Sequence, residues 1–309
     1  MKKQSIVERI RKKVCKVEWT IAIRKRDNKL LFQENVSVSE REFMPIKNTF
    51  RYWKADPFLI SFHGKRYLFF EMYDRLKRKG VLGFQELFEN GALSKERVCF
   101  EHPKHLSYPN VFIYRDSLYC IPESNQSGDL LLLKFNVEEE KFNVVKKLVT
   151  NYAVADTNIL SDGDIYYLMT TPIKCGDNSS LLVLHELHKD GSINKDSGKV
   201  LVKDKSVARN GGNIIYLDGG KKIRVSQDCS KGYGTAINFL KILSIEDGIY
   251  REELIKKIFP YDVNIKTKGR IDGIHTYNFD DRYEVIDFKR DNRFNIVEII
   301  GYVYNLFYK

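Results

Sequence analysis

The segment ADPFLISFHGKRYLFFE at residues 55–71 determines the fold, because variants of it recur along the chain. It consists of an apolar run, the turn HGK and a second apolar run, which is the pattern of a tight β-hairpin. Two further copies are clear and two are degenerate: SYPNVFIYRDSLYCIPE at 107–123, ADTNILSDGDIYYLMTT at 155–171, GNIIYLDGGKKIRVSQ at 212–227 and DGIHTYNFDDRYEVID at 272–287. A hairpin repeated about every 50 residues predicts a repeat architecture, here an all-β, five-bladed β-propeller.

Aligned without gaps, the five copies define two columns of equivalent residues. The opening column holds Asp56, Tyr108, Asp156, Gly212 and Asp272. The closing column holds Glu71, Glu123, Thr171, Gln227 and Asp287. Equivalent positions of successive blades converge on the central channel of a propeller. Carboxylates gathered there are costly unless they bind a ligand or exchange protons, so the columns predict an acidic site, with turn capping as the alternative.

The composition fits a single all-β domain. The 309 residues include 18 Tyr, 19 Phe and 2 Trp, which suits strands packed face to face, and no Pro/Gly/Ser-rich linker divides them. We expect residues 19–309 to form the propeller, with strands at 19–24 and 296–308 completing one blade together. Outer strands are predicted at 81–87, 129–136, 180–188 and 236–245.

Residues 1–18 are predicted to be a basic N-terminal arm. Ten Lys or Arg and two Glu lie in residues 1–26 of a chain whose net charge is +11, so a general nucleic-acid surface on the propeller is not expected. Ile6, Val7, Ile10 and Val14 form one stripe at helical spacing. This pattern predicts a short helical arm that either contacts an anionic membrane or packs on the propeller.

The cysteine pattern and the N-terminal sequence predict a cytoplasmic location. The five cysteines are an odd number without CxxC spacing, which is typical of reduced thiols. The N-terminal sequence has no signal-peptide core, and no apolar run is long enough to span a membrane. The expected membrane association is therefore peripheral, through the arm.

Two segments, KADPFLISFHGKRYLFFE and HLSYPNVF…YCIPES, resemble the five-bladed propeller of arabinanase and β-xylosidase type glycoside hydrolases. Together with 209–242 and 272–290, they resemble more specifically the propeller domain of glucosamine inositolphosphorylceramide transferases and its bacterial relatives in polysaccharide biosynthesis. The resemblance covers roughly residues 50–290. For the hydrolases it implies a catalytic base opening the first blade, a positioning Asp opening the third and a general acid opening the fourth. Asp56 and Asp156 match the first two, but Arg209 and a Gly-Gly pair replace the acid.

The sequence around the missing acid predicts anion binding. Arg209, Arg224 and Gln227 lie near the glycine-rich run 231–234, and arginine forks with flexible backbone amides suit phosphate or an acidic sugar. The alternative is that these residues are turn positions and partners of blade acids. The candidates for proton chemistry are Asp56, Asp156, Asp272 and Glu123. The other candidates for substrate contact are Glu71, Tyr108, Asn110, Asn213, Asp228, Tyr233 and His275, and Asp228 could also supply the missing proton.

Three functions remain open at this point. The first is a glycosyl-transferring or glycan-modifying enzyme of bacterial surface-polysaccharide biosynthesis, acting on a sugar, a nucleotide sugar or a lipid-linked glycan. The second is an inverting glycoside hydrolase whose general acid has moved to another blade. The third is a non-catalytic glycan-binding scaffold for a partner glycosyltransferase. No cofactor and no metal-ligand motif are predicted, although the resemblance allows a structural calcium ion in the channel.

Overall fold

The computed structural model describes residues 18–34, 41–173, 176–188, 191–246, 249–290 and 296–307. The predicted arm therefore lies outside the described residues, apart from Glu18. Within the described ranges the chain forms twenty strands, four 3₁₀ turns and one α-helix. The strands are β1 (Glu18–Lys25), β2 (Met44–Pro45), β3 (Tyr52–Phe62), β4 (Lys65–Asp74), β5 (Lys79–Glu86), β6 (Arg97–Phe100), β7 (Ser107–Tyr114), β8 (Ser117–Glu123), β9 (Leu130–Asn136), β10 (Lys141–Val149), β11 (Val154–Asp162), β12 (Ile165–Pro172), β13 (Leu182–Leu187), β14 (Lys199–Val202), β15 (Ile215–Tyr216), β16 (Lys222–Asp228), β17 (Ala236–Glu246), β18 (Ile249–Ile258), β19 (Ile271–Phe279) and β20 (Tyr283–Arg290). The 3₁₀ turns are Leu31–Gln33, Lys195–Ser197, Asp218–Gly220 and Pro260–Asp262, and the helix is α1 (Ile296–Phe307).

The strands form five antiparallel four-stranded sheets, which confirms the predicted five-bladed propeller. Blade 1 is β3–β6, blade 2 is β7–β10, blade 3 is β11–β14 and blade 4 is β15–β18. Blade 5 combines β19 and β20 with β1 and β2 from the other end of the chain. The predicted outer strands correspond to β5, β9, β13 and β17.

The core of the described residues is divided among six hydrophobic clusters. Five of them lie one between each pair of neighbouring blades, and a small sixth joins Trp19 of blade 5 to Trp53, Ala55 and Tyr73 of blade 1. Between blades 1 and 2 the core is largely aromatic, with Phe58, Phe69 and Phe84 packed against Phe135 and Phe142. The other four interfaces contain mainly Ile, Leu and Val with a few aromatic residues. Because each blade is covered on both faces, its strands need apolar residues on both sides, and this explains the weak alternation in the sequence.

The ring is closed by β1, as the sequence predicted for residues 19–24. All eight residues of β1 pair with β20 in antiparallel register, from Glu18 opposite Arg290 to Lys25 opposite Tyr283. The prediction that 296–308 is a strand is wrong, because this segment forms α1. Val297, Gly301 and Asn305 recur every four residues and face the protein, a helical spacing that the many β-branched residues obscured.

A β-bulge at the start of the inner hairpin in blades 1, 2, 3 and 5 shapes one end of the channel, which we call the mouth. In blade 1 the bulge comprises Asp56 and Pro57, because the pairing passes from Ala55 opposite Glu71 to Phe58 opposite Phe69. The same shift occurs at Tyr108 in blade 2 and at Asp156 in blade 3. All three bulge residues have positive φ, between 43° and 50°, so the bulge holds each side chain in an unusual backbone conformation.

In blade 5 the bulge contains His275 and Thr276, which corrects the predicted columns. The pairing there passes from Ile274 opposite Phe288 to Tyr277 opposite Ile286. His275, and not Asp272, is therefore the equivalent of Asp56. Asp287 occupies the position in blade 5 that Phe70 occupies in blade 1. Twelve positions separate His275 from Asp287, whereas fourteen separate Asp56 from Phe70. The hairpin of blade 5 is therefore shorter, and an alignment without gaps could not match both of its strands to those of blade 1.

Candidate active site at the channel mouth

On one side of the mouth, a buried histidine bridges two buried aspartates. His275 Nε2 lies 3.1 Å from Asp56 Oδ1, and His275 Nδ1 lies 2.7 Å from Asp287 Oδ1. Asp56 Oδ1 also accepts a hydrogen bond from the Thr276 hydroxyl at 3.0 Å, and Asp56 Oδ2 accepts one from the Tyr108 amide at 3.1 Å. We call these three residues, Asp56, His275 and Asp287, the histidine group.

The surroundings of His275 favour its protonated form. Burial opposes the charge, but the carboxylates of Asp287 and Asp56 outweigh it and raise the pKa of His275 to about 10. The ring centroid lies 4.0 Å from that of Trp19 and 4.9 Å from that of Tyr233. His275 is therefore an imidazolium held between two carboxylates under an aromatic cover.

The calcium ion that the resemblance allows does not fit this group. The ligand atoms of Asp56, His275 and Asp287 lie within 4.8 Å of one another, so the spacing alone would suit a metal. Both imidazole nitrogens, however, face carboxylate oxygens as donors, and a metal would need one of them neutral and unprotonated. Calcium also prefers six to eight oxygen ligands. The positive charge at this position is supplied by His275 itself.

On the opposite side of the mouth, a buried arginine joins two further acids. Arg209 Nε donates to Asp156 Oδ2 at 2.5 Å, and Arg209 Nη2 lies 3.3 Å from Glu123 Oε2. Gln227 Nε2 donates to the same Asp156 oxygen at 2.7 Å. Burial and the charge of Asp156 raise the pKa of Glu123 well above its ordinary value, against the opposing charge of Arg209. We call Glu123, Asp156 and Arg209 the arginine group.

Glu71 lies between these groups and is, like Glu123, a carboxyl group whose surroundings favour the protonated form. Burial and the negative charges of Asp56 and Glu123 raise its pKa well above the ordinary value. Glu71 Oε1 is 3.4 Å from His105 Nε2 but accepts no hydrogen bond from the described residues. The neighbouring indole Nε1 of Trp53 is also buried without a hydrogen-bond partner among them. Two unsatisfied polar atoms beside the acids are suited to bind a hydroxyl group or water.

Tyr233 covers both groups. Its side chain belongs to the loop 229–235, and the Arg209 guanidinium lies 4.9 Å from its ring centroid. The ring also meets Trp19 edge to face at 5.8 Å, and the residue remains 40% exposed. The predicted substrate contact at Tyr233 is therefore placed where a ligand would enter the mouth.

Below the acids, asparagines fill the channel. Asn110 Nδ2 donates to Asn158 Oδ1 at 3.1 Å and to Asn213 Oδ1 at 2.7 Å, and Asn213 N donates to Asn278 Oδ1 at 2.9 Å. The Tyr108 hydroxyl donates to Asn158 Oδ1 at 2.9 Å. Asn110, Asn213 and Tyr108 were predicted to contact substrate, but their side chains hold the blades together beneath the mouth.

Three predicted site residues form ion pairs with partners that belong to neither group. Arg224 is fully buried within blade 4, where it binds Glu252 at 2.7 Å and the backbone oxygens of 207 and 208. Asp228 pairs with Lys257 at 2.8 Å, and Asp272 pairs with the exposed Arg270 at 3.3 Å. Arg224 is therefore engaged inside blade 4, and Asp228 and Asp272 are each engaged in an ion pair.

Sequence reasoning missed several contributors to the mouth. Thr276 binds Asp56, and Trp19 covers His275, yet Trp19 is far away in sequence. Asn158 and Asn278 were missed as partners of Asn110 and Asn213. A usable signal exists for Asn158, since Asn110 and Asn158 both lie two residues after a bulge residue.

The comparison with protein families matches the residues of both the histidine group and the arginine group. Residues 44–289 match the family described as glucosamine inositolphosphorylceramide transferase 1, N-terminal. The chain belongs to this family. A glucosamine inositolphosphorylceramide transferase 1 from Arabidopsis thaliana is 29% identical over 232 residues, which are 73% of this chain and 30% of the relative. One from Oryza sativa subsp. indica is 27% identical over 203 residues, or 64% of this chain and 27% of the relative. The chain thus spans less than a third of the length of these transferases.

Solved structures show that the fold of this transferase family member is also that of glycoside hydrolases. The catalytic domain of a GH62 α-L-arabinofuranosidase from Coprinopsis cinerea superimposes with a TM-score of 0.57 at 10% identity, over 91% of this chain and 98% of that domain. The arabinofuranosidase from Podospora anserina gives 0.58 at 9% identity, with the same coverage. At this level of identity the likeness concerns the fold alone.

Proposed function

We propose that this protein is a carbohydrate-active enzyme that cleaves or transfers a glycosyl group at the channel mouth. Asp56 would act as the general base, and Glu123 as a general acid relocated from the fourth blade to the second. What supports the proposal is the family membership, the fold shared with glycoside hydrolases, and one feature of the mouth: burial and neighbouring negative charge raise the pKa of Glu123 and Glu71, whereas Asp56 faces the cation of His275. Such a division is the arrangement that acid–base catalysis on a glycosidic bond requires.

The contacts of Asp56 suit a base. Its Oδ1 faces the imidazolium of His275, while its Oδ2 has one hydrogen-bond donor among the described residues, the Tyr108 amide. A carboxylate oxygen has two lone pairs, so Oδ2 retains one for a substrate hydroxyl or a water molecule. Glu123 carries a proton to donate because its pKa is raised.

The reaction would proceed in one displacement. Asp56 accepts the proton of water or of an acceptor hydroxyl group. At the same time the oxygen of that water or hydroxyl group bonds to the anomeric carbon. The bond from that carbon to the leaving oxygen breaks, and this oxygen takes the proton of Glu123. His275 holds Asp56 in place, while Arg209 stabilises the carboxylate that forms on Glu123. Solvent then restores both protonation states.

The base is tested by Asp56→Asn with Asp272→Asn as the matched control. Wild type and variants are assayed with aryl glycosides, oligosaccharides and nucleotide sugars. Asp56→Asn should lose about 10²- to 10⁴-fold in kcat while circular dichroism remains unchanged, whereas Asp272→Asn should keep its activity. Unchanged turnover in folded Asp56→Asn would remove Asp56 as the base.

The role of Glu123 as general acid is tested with two kinds of substrate, one whose leaving group needs a proton and one whose leaving group does not. Glu123→Gln should lose activity on unactivated oligosaccharides but keep most of it on glycosyl fluorides, whose leaving group needs no proton. Equal losses on both substrates would assign Glu123 a structural role.

A second candidate, the glycan-binding scaffold, is favoured by the Arg209 substitution. The fourth blade opens with an arginine where the resemblance places an acid, and the chain spans only about a third of the Arabidopsis transferase. A scaffold should bind oligosaccharides in calorimetry without turning over any of the substrates above, and Asp56→Asn should then change only the affinity.

We place either activity in bacterial surface-polysaccharide assembly and in the cytoplasm. The reduced-thiol pattern supports the location, and the predicted sugar, nucleotide-sugar or lipid-linked glycan substrate supports the pathway. Cell fractionation with an antibody tests the location, and the sugar composition of the cell surface after gene deletion tests the pathway.

A further inference from the structure

Helix α1 exposes one apolar face to solvent. Ile296, Ile300, Val303 and Tyr304 lie on this face and are between 45% and 53% exposed. Their spacing of four, three and one residues places them on one side of the helix. The opposite side is anchored: Asn305 Nδ2 donates to the Leu76 carbonyl oxygen at 3.2 Å, and a side chain at Gly301 would collide with the Arg75 carbonyl oxygen.

A second exposed apolar residue, Phe50, lies beside the same anchor. Arg75 Nη1 donates to the carbonyl oxygens of Thr49 at 2.8 Å and Phe50 at 3.1 Å. The Phe50 side chain is 67% exposed. We call the exposed face of α1 together with Phe50 the apolar patch.

The basic arm begins next to the apolar patch. Glu18, the first described residue, lies 3.2 Å from Arg75 Nη2. The seventeen residues before it contain seven Lys or Arg and one Glu. Arg78 adds a cationic side chain in the turn that holds Leu76, and its guanidinium lies 5.6 Å from the ring of Tyr302. Arg51 and Lys77, in the turns that hold Phe50 and Leu76, are paired with Asp74 at 2.6 Å and with Glu101 at 2.7 Å.

The patch is on the same end of the propeller as the acidic mouth. Trp19, which follows Glu18, covers His275 with a centroid distance of 4.0 Å. The turn that supports α1 follows β4, the strand that contains Glu71. A surface that contacts the patch would therefore also face the mouth.

We propose that the apolar patch docks on an anionic lipid membrane, with the basic arm supplying the electrostatic attraction. Exposed aliphatic and aromatic side chains next to a cluster of Lys and Arg form the combination that peripheral proteins use at a lipid surface. No helix in the described residues has the length and apolar character to cross a bilayer. The proposal does not depend on which reaction occurs at the mouth.

Charge distinguishes the membrane from two other possible occupants of the apolar patch, a second copy of the chain and the chain's own arm. A second copy of the chain would bring a second basic arm to the same patch, and the two arms would repel each other. The chain's own arm could cover α1 with its apolar stripe, but its seven Lys and Arg would then lie next to Arg78 with one Glu of the arm to compensate them. An anionic surface compensates the charge of the arm.

Membrane contact is tested directly by placing a fluorophore on the patch. Val303→Trp is mixed with vesicles of phosphatidylcholine and phosphatidylglycerol that carry brominated acyl chains. We expect quenching of the added emission, because bromine quenches only at contact depth, while Val144→Trp, on the outer strand of blade 2, should not be quenched. Quenching of neither variant, with wild type remaining in the supernatant on sedimentation, would overturn the proposal.

The contribution of the apolar patch is measured by removing two of its side chains. Ile300→Ser/Val303→Ser should weaken sedimentation with anionic vesicles by at least about tenfold, since each buried aliphatic side chain contributes on this scale. The control Val144→Ser/Val145→Ser removes two equally exposed valines elsewhere and should bind as wild type does. Vesicles of phosphatidylcholine alone, or high salt, should also weaken binding.

Two results would assign the patch to another occupant and overturn the proposal. A dimer in sedimentation equilibrium that Ile300→Ser/Val303→Ser dissociates would identify a second copy. Absence of vesicle binding, with cysteine labelling at Tyr304→Cys that rises when residues 1–17 are deleted, would identify the arm as the cover.

Discussion

On both sides of the channel mouth a buried cation compensates buried acids, but the cation differs between the two sides. In both, a buried cation lies between two buried acids: His275 between Asp56 and Asp287, and Arg209 between Asp156 and Glu123. Arginine keeps its charge at every accessible pH, whereas histidine can lose its proton. The arginine group is therefore a fixed part of the fold, and the histidine group is the side whose charge can change.

This difference also separates the acids by function. Asp156 is held by Arg209 and Gln227 at once, which suits a residue that tunes its neighbours. Asp56 faces a titratable partner and keeps one oxygen with spare acceptor capacity. The stability of variants on the two sides of the mouth tests this contrast.

The largest effect is expected from the pH dependence of the histidine group. The pKa of His275 is raised to about 10 in the folded state. The protonated side chain therefore stabilises the folded protein fully below the pKa of the unfolded chain, near 6.5, and this stabilisation is lost as the pH rises to about 10. The free energy of unfolding should fall by up to about 5 kcal/mol over this window. Urea unfolding at several pH values measures it.

His275→Gln is the control for this prediction. It should be less stable than wild type near pH 6 and show a flatter profile. Glu71 and Glu123, whose pKa values are also raised, should still destabilise the variant as the pH rises. An identical slope in both proteins would show that His275 is neutral in the fold.

Removing the fixed cation should cost about 3–5 kcal/mol in the free energy of unfolding. Arg209→Met leaves Asp156 and Glu123 buried without their partner, and the loss should be similar at pH 6 and pH 9. Arg270→Met, at an 85% exposed side chain, is the control and should change stability little. A stable Arg209→Met protein would mean that the arginine group is not structural.

A smaller effect is expected from Glu123→Gln. Because burial and Asp156 raise the pKa of Glu123, the native side chain is already neutral and the amide replaces it without loss of charge. Stability at pH 6 should change by less than about 1 kcal/mol. A loss as large as that of Arg209→Met would indicate that Glu123 is ionised next to Arg209.

The smallest effect is expected from Asp272→Asn. Asp272 pairs with an exposed arginine outside both groups, and surface changes of this kind usually remain within about 0.5 kcal/mol. Thermal unfolding of the variant checks this. A large destabilisation would reinstate Asp272 as a member of the mouth.

The hairpin repeat predicted the fold and about half of the mouth. It was sufficient for Asp56, Glu71, Glu123 and Asp156, because blades 1 to 3 keep the same hairpin length. It failed in blade 5, where a shorter hairpin moves His275 into the position assigned to Asp272. Arg224 was misplaced for another reason: charge and spacing do not reveal that Glu252, in the next strand but one, binds it inside the blade.

The closure of blade 5 has a consequence for how the chain is made. The residues that pair between β1 and β20 are 258 to 272 positions apart in the sequence. Blades 1 to 4 can form as each leaves the ribosome, but β1 must wait for its partner on the order of tens of seconds at ordinary rates of synthesis. During that time its edge is open, so a chain interrupted before β20 exposes an unpaired strand that quality-control proteases can recognise.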